Sequence, residues 1–128
     1  MVIALKKGDD VIPRLKSWLE RNRVNSGFFY GIGGFQRAEI AFFDMEKKKF
    51  LKKKFPGPFE VLSFIGNVSQ SEDGIAIHAH VSLADKSFKV VGGHLIGATV
   101  KATLELKLTQ TEILERVFDD ETGLDLLR

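Results

Sequence analysis

The sequence predicts an α+β fold, with one N-terminal helix packed on a mostly antiparallel sheet. Three observations carry this. Helical spacing of apolar residues occurs once, between Asp10 and Arg23. Strand-like segments then follow one another to the end of the chain, separated by Gly-, Asp- and Ser-containing breaks. The cleanest of them starts at Val100: Val100, Ala102, Leu104, Leu106 and Leu108 share one face, and Lys101, Thr103, Glu105, Lys107 and Thr109 the other. Period two held this long marks a strand with one buried and one wet face.

At 128 residues the chain reads as a single domain, 1–128, able to bury roughly two thirds of its unfolded surface. Hydrophobic residues make up 44% and charged residues 28%, ordinary for a globular protein. There is no cysteine, which excludes disulfides and thiolate metal sites. The opening Met-Val-Ile-Ala-Leu-Lys-Lys is too short for a signal peptide. No apolar run approaches the roughly 20 residues that span a bilayer. A cytoplasmic protein without membrane contact is therefore expected. A net charge of +2 is too small to mark a nucleic-acid binder by itself.

Taken in order, Asp9 and Asp10 are N-cap candidates, and Pro13 is tolerated in a first helical turn because its missing N–H would have had no partner. Ile12, Leu15, Trp18 and Leu19 recur at helical spacing, and the helix is expected to stop around Asn25-Ser26-Gly27. Phe28 to Phe35 reads as a strand ending in a bend. Its Gly31-Ile32-Gly33-Gly34 lacks the Lys-Ser/Thr that would make it a phosphate loop. Arg37 to Asp44 is a strand with apolar residues on both faces.

Glu46 to Phe55 carries Lys47, Lys48, Lys49, Lys52, Lys53 and Lys54, interleaved with Phe50, Leu51 and Phe55. A pair of short strands or an exposed hairpin is the simplest structure. Lysine with interleaved aromatics suits nucleic acid, because ammonium groups neutralise phosphate and rings stack on bases. Lysines on an edge strand also block unwanted sheet pairing, and both readings stay open. Gly57 to Val68 is a turn followed by a strand, ending in the loop Ser71-Glu72-Asp73-Gly74. Ile113 to Phe118 reads as a last strand, with Asp119 to Gly123 a turn before Leu124, Leu126 and Leu127.

All three histidines fall in one segment, Ile75 to Thr109. His78 and His80 leave the same face of a strand, while Ile77, Ala79, Val81 and Leu83 occupy the other. Ala84-Asp85-Lys86-Ser87 breaks that strand, and Phe88 to Leu95 reads as its partner. A hairpin centred on Lys86 would set His78 opposite His94 and His80 opposite Gly92, with Val91 and Leu95 on the core face. Three imidazoles on one patch suit a divalent metal, zinc above all, with an open position left for water or a ligand. The plainer reading is three histidines hydrogen-bonded at a strand surface or subunit contact.

The segment HAHVSLADKSFKVVGGHL, preceded by GPFEVLSFIGNVS and followed by FDDETGLDLL, resembles the plant- and prokaryote-conserved (PPC, also PCC) domain, over nearly the whole chain. The resemblance implies a sheet-plus-helix protomer assembled as a homotrimer. It also implies a metal, zinc, held by His78, His80 and His94. In plant members a Gly-Arg-Phe-Glu-Ile-Leu stretch contacts transcription factors. Gly57, Phe59, Glu60 and Leu62 match it, while Pro58 replaces the arginine and Val61 the isoleucine. No Arg-Gly-Arg-Pro AT-hook occurs here. The expected function is a metal-containing homotrimer associated with DNA or transcription. Two alternatives are a zinc-dependent enzyme acting on a small molecule, for which Glu60 is the nominated general base, and a structural-zinc scaffold for protein partners.

Overall fold

In the computed structural model, which describes residues 1–128, period-two alternation begins at the N-terminus. Val2–Lys6 forms strand β1, with Ile3 and Leu5 inward. Helix α1 (Val11–Arg21) buries Val11, Leu15 and Leu19, spaced four apart so that one stripe meets the sheet. Asp10 is its N-cap residue, yet the carboxylate does not cap the helix; it accepts a hydrogen bond from the Thr99 hydroxyl at 3.2 Å. The helix ends four residues before the expected stop region. Arg23 takes a left-handed φ of 55°, and the Arg23 and Val24 N–H groups donate to Glu20 and Leu19 carbonyls. This two-bond termination normally recruits glycine; here buried Leu19 and Val24 accompany it.

The remaining chain is strand: β2 (Gly27–Asp44), β3 (Lys49–Phe55), β4 (Phe59–Ser71), β5 (Gly74–Ala84), β6 (Val90–Gln110), then the short pair β7 (Arg116–Asp119) and β8 (Leu124–Leu127). The main sheet runs β1-β6-β5-β4-β2-β3, all antiparallel, and β2 also pairs with β6. Strands β2, β4, β5 and β6 therefore close a circuit, with β1 and β3 on its margins. The core lies inside, led by Phe35, Phe64, Leu104, Leu106 and Leu108, each under 2% exposed. Burying each such side chain contributes about 2 kcal/mol.

Two expected breaks are absent. The bend after Phe35 is a set of bulges inside one 18-residue strand, and Phe88–Leu95 merges with Val100–Thr109 into one 21-residue strand starting at Val90. The glycine run explains the first. A Cβ at Gly31 would come within 2.5 Å of the Glu105 carbonyl, and one at Gly33 would run into that of Thr103. These glycines let β2 press against β6 and close the circuit.

Candidate metal centre and its pocket

The β5–β6 hairpin is centred on Ser87 rather than Lys86. Asp85 is the cause: its carboxylate accepts the Ser87 and Lys89 N–H groups at 2.8 and 3.1 Å, which draws Phe88 and Lys89 into the loop. His80 consequently stands opposite His94, not Gly92, and His78 lies across from Asn67 of β4. The shift is two residues, an even number, so His94 keeps its face and the triad survives the change.

The three imidazoles meet on the half-buried outer surface of this hairpin. Their ring centroids are 5.0 to 5.5 Å apart, and one ligand atom from each lies within 4.8 Å of the others. His78 Nε2 and His80 Nε2 are 3.1 Å apart. Zinc–nitrogen bonds of about 2.0–2.1 Å in a tetrahedral site put ligand nitrogens roughly 3.4 Å apart, so small side-chain movements suffice. Two of the three donors also have the right protonation. Burial, then the charges of His94, Arg116 and His80, push His78 down from 6.5 to about 4. Burial and His80 likewise lower His94. Both rings are neutral at physiological pH, with lone pairs available to a cation.

Around the histidines lies a pocket of about 560 Å³. Phe43 and Phe50 form one wall, with the Phe50 ring centroid 4.6 Å from that of His94. The β7–β8 hairpin forms another, through Leu124, Leu126 and Arg116. The Arg116 Nε, Nη1 and Nη2 groups donate to Ser69 Oγ, the Asp125 carbonyl and Asn67 Oδ1, at 2.7, 2.9 and 2.7 Å. Sequence reading missed Arg116. Its only local signal is an arginine inside a short apolar strand, and its approach to Asn67 depends on a tertiary fold-back.

The other nominated residues lie elsewhere. Glu60 is exposed and ion-paired to Lys101 at 3.5 Å, lining a separate surface depression with Ile32 and Glu105. It does not line the histidine pocket, so the nomination as its general base fails. Of the remaining Gly57-to-Leu62 residues, Phe59 is in the core at 5% exposure, whereas Leu62 is exposed. Lys47 and Lys48 sit in a turn, and Lys49, Lys52, Lys53 and Lys54 lie along β3 at the sheet margin; all six are exposed. Alternation sends Lys49 and Lys53 to one face and Lys52 and Lys54 to the other. A further cavity of about 630 Å³ lies between the start of α1, β2 and β6, and it contains no histidine.

A profile of the Plants and Prokaryotes Conserved (PCC) domain matches residues 1–112. The chain belongs to this family. Among curated proteins, none matches the chain at a significant level. Solved structures do. A metal-containing protein from Archaeoglobus fulgidus shares 36% identity over 100% of this chain and 91% of its own, with a TM-score of 0.92. A candidate DNA-binding protein from Ralstonia eutropha JMP134 shares 30% identity, covering 99% and 89%, at 0.91. A plant- and prokaryote-conserved protein from Pyrococcus horikoshii shares 28% identity, covering 100% and 90%, at 0.90. Within the PCC chain all three histidines lie inside the matched span, whereas Arg116 and the β7–β8 hairpin lie outside it. No helix is long and apolar enough to cross a membrane.

Proposed function

We propose that this PCC-domain protein is a homotrimeric metal-binding protein whose zinc is held by His78, His80 and His94. The observation that carries this reading is the convergence of every histidine in the chain on one pocket floor, with His78 and His94 held neutral by burial. Bound zinc would supply a Lewis acid with a position open toward the pocket. Trimer formation follows the family resemblance, and an apolar surface supports it. Phe28, Tyr30 and Ile32 of β2, with Leu62 and Ile65 of β4, are each 50 to 62% exposed on adjoining strands. Contiguous exposed apolar side chains of this kind mark association surfaces.

The deciding experiment is metal content of the untagged protein, measured beside a His78→Ala, His94→Ala double variant. About one zinc per chain in the parent and none in the variant is the expected result. Equal metal content in the two proteins, or none in either, overturns the site.

A second reading, association with DNA or the transcription apparatus, draws support from the margin of the sheet. None of the six lysines between Lys47 and Lys54 is ion-paired. An unneutralised lysine strand, multiplied by three in the trimer, would attract phosphate. The exposed pair Glu60 and Leu62 would be the contact for protein partners.

A further inference from the structure

We propose that the histidine pocket is a binding site for a small organic carboxylate with a short apolar body, and that Arg116 is its anion anchor. The assignment deepens the metal-site reading and rests on it for the location of the site. Arg116 has five N–H donors, and the three contacts it makes are all to uncharged oxygens: a hydroxyl, an amide oxygen and a backbone carbonyl. It makes no ion pair. Asp125 is near enough to favour the cation, but burial outweighs it. A partly buried arginine held rigidly by three neutral acceptors keeps its charge, and two N–H groups, for something that enters the pocket.

The surroundings select the rest of the ligand. Phe50, Leu124 and Leu126 offer apolar walls, and the volume of about 560 Å³ suits a molecule far smaller than a nucleic-acid duplex. A metal at the histidines would add a second positive charge in the same pocket, which further favours an anion. Cation and leucines all come from the β7–β8 hairpin, beyond the residues that the family profile matches. The segment leading into the hairpin is fastened to the sheet by Gln70 N–H donating to the Leu114 carbonyl and by Leu114 N–H donating to Ser26 Oγ, at 2.8 and 2.9 Å. Ligand choice is thus assigned to the hairpin, and metal holding to the sheet.

The test is calorimetric titration of zinc-loaded full-length protein with 3-methylbutanoate, and with 3-methylbutanamide as a neutral body of the same shape. The parent is expected to bind the acid about tenfold or more tightly than the amide, the effect of one charged hydrogen-bond partner. Arg116→Gln should lower the acid-to-amide ratio about tenfold while zinc per chain stays unchanged. Equal affinity for acid and amide in the parent overturns the proposal, as does an Arg116→Gln protein that keeps its zinc and an undiminished preference for acid. A parent without zinc overturns the metal reading instead. The acid-to-amide ratio on that same metal-free protein then decides Arg116 on its own. The same ratio on EDTA-treated parent needs no variant and excludes the charge of the metal, so it decides the Arg116 assignment even if Arg116→Gln misfolds: equal affinity for acid and amide there overturns it.

Discussion

The histidine pocket and the lysine margin meet on β3, where Phe50 stacks toward His94 and Lys49, Lys52, Lys53 and Lys54 face water. Both groups of residues stand out in the sequence, and the fold treats them differently. The histidines come from two strands that are hydrogen-bonded neighbours, share one face and converge within 4.8 Å. The lysines come from one strand, alternate between faces and diverge. Convergence needs backbone precision on at least two strands; divergence needs only that a margin stay charged. A run of one residue type is therefore a weak sign of a site until paired strands focus it.

That contrast can be broken most severely at Gly66, which lies in β4 across from Ala79. A Cβ there would run into the His78 carbonyl and come within 2.7 Å of the Phe29 ring. Gly66→Ala is expected to lower stability by roughly 1–3 kcal/mol, read by urea denaturation, and to weaken zinc binding by displacing the His78 backbone. Unchanged zinc affinity would mean the pocket does not depend on that backbone.

An intermediate effect comes from pH. In the unfolded chain His78 takes up its proton near 6.5, whereas in the fold burial, then His94, Arg116 and His80, hold it to about 4. Between those values the unfolded state binds more protons, so metal-free protein should lose stability as pH falls from about 6.5 toward 4, with no contribution from His78 above that window. EDTA-treated parent and His78→Gln proteins, compared by urea midpoint across the window, check this. A parent slope no steeper than that of the variant refutes the assignment.

The smallest structural effect is expected at the margin. A Lys52→Gln, Lys53→Gln, Lys54→Gln protein should stay within about 0.5 kcal/mol of the parent in stability, because the three side chains are exposed and make no ion pair. If the margin binds DNA, its affinity for a random duplex falls, and the salt dependence flattens by about one unit for each lysine–phosphate pair removed. An unaltered salt slope would remove the lysines from the nucleic-acid reading.

The outline of the fold was legible because most strands carry their own alternation, and α1 its own stripe. What escaped were features set by partners. β1 has five residues, too few for its alternation to stand out, and it exists because Ile3 and Leu5 find Leu106 and Leu104. The continuity of β6 through Ile96 to Thr99 depends on β2 alongside it. At the site, residue identity and face were readable, since both follow from spacing. The register was two residues off because the Asp85 carboxylate decides where the loop ends. Arg116 was not readable at all, being more than twenty residues from the nearest histidine and brought in only by the fold-back of the last hairpin.

The pairing of β1 with β6 has a consequence for how the protein is born. Val2 pairs with Lys107 and Lys6 with Thr103, so during synthesis β1 must wait for β6, about a hundred residues later in the chain. Until then Ile3, Leu5 and the stripe of α1 have no completed sheet to cover. High contact order of this kind slows folding and leaves apolar segments open to aggregation during synthesis. His94 is also the last of the three histidines in chain order, so the cluster assembles only once β6 has been made.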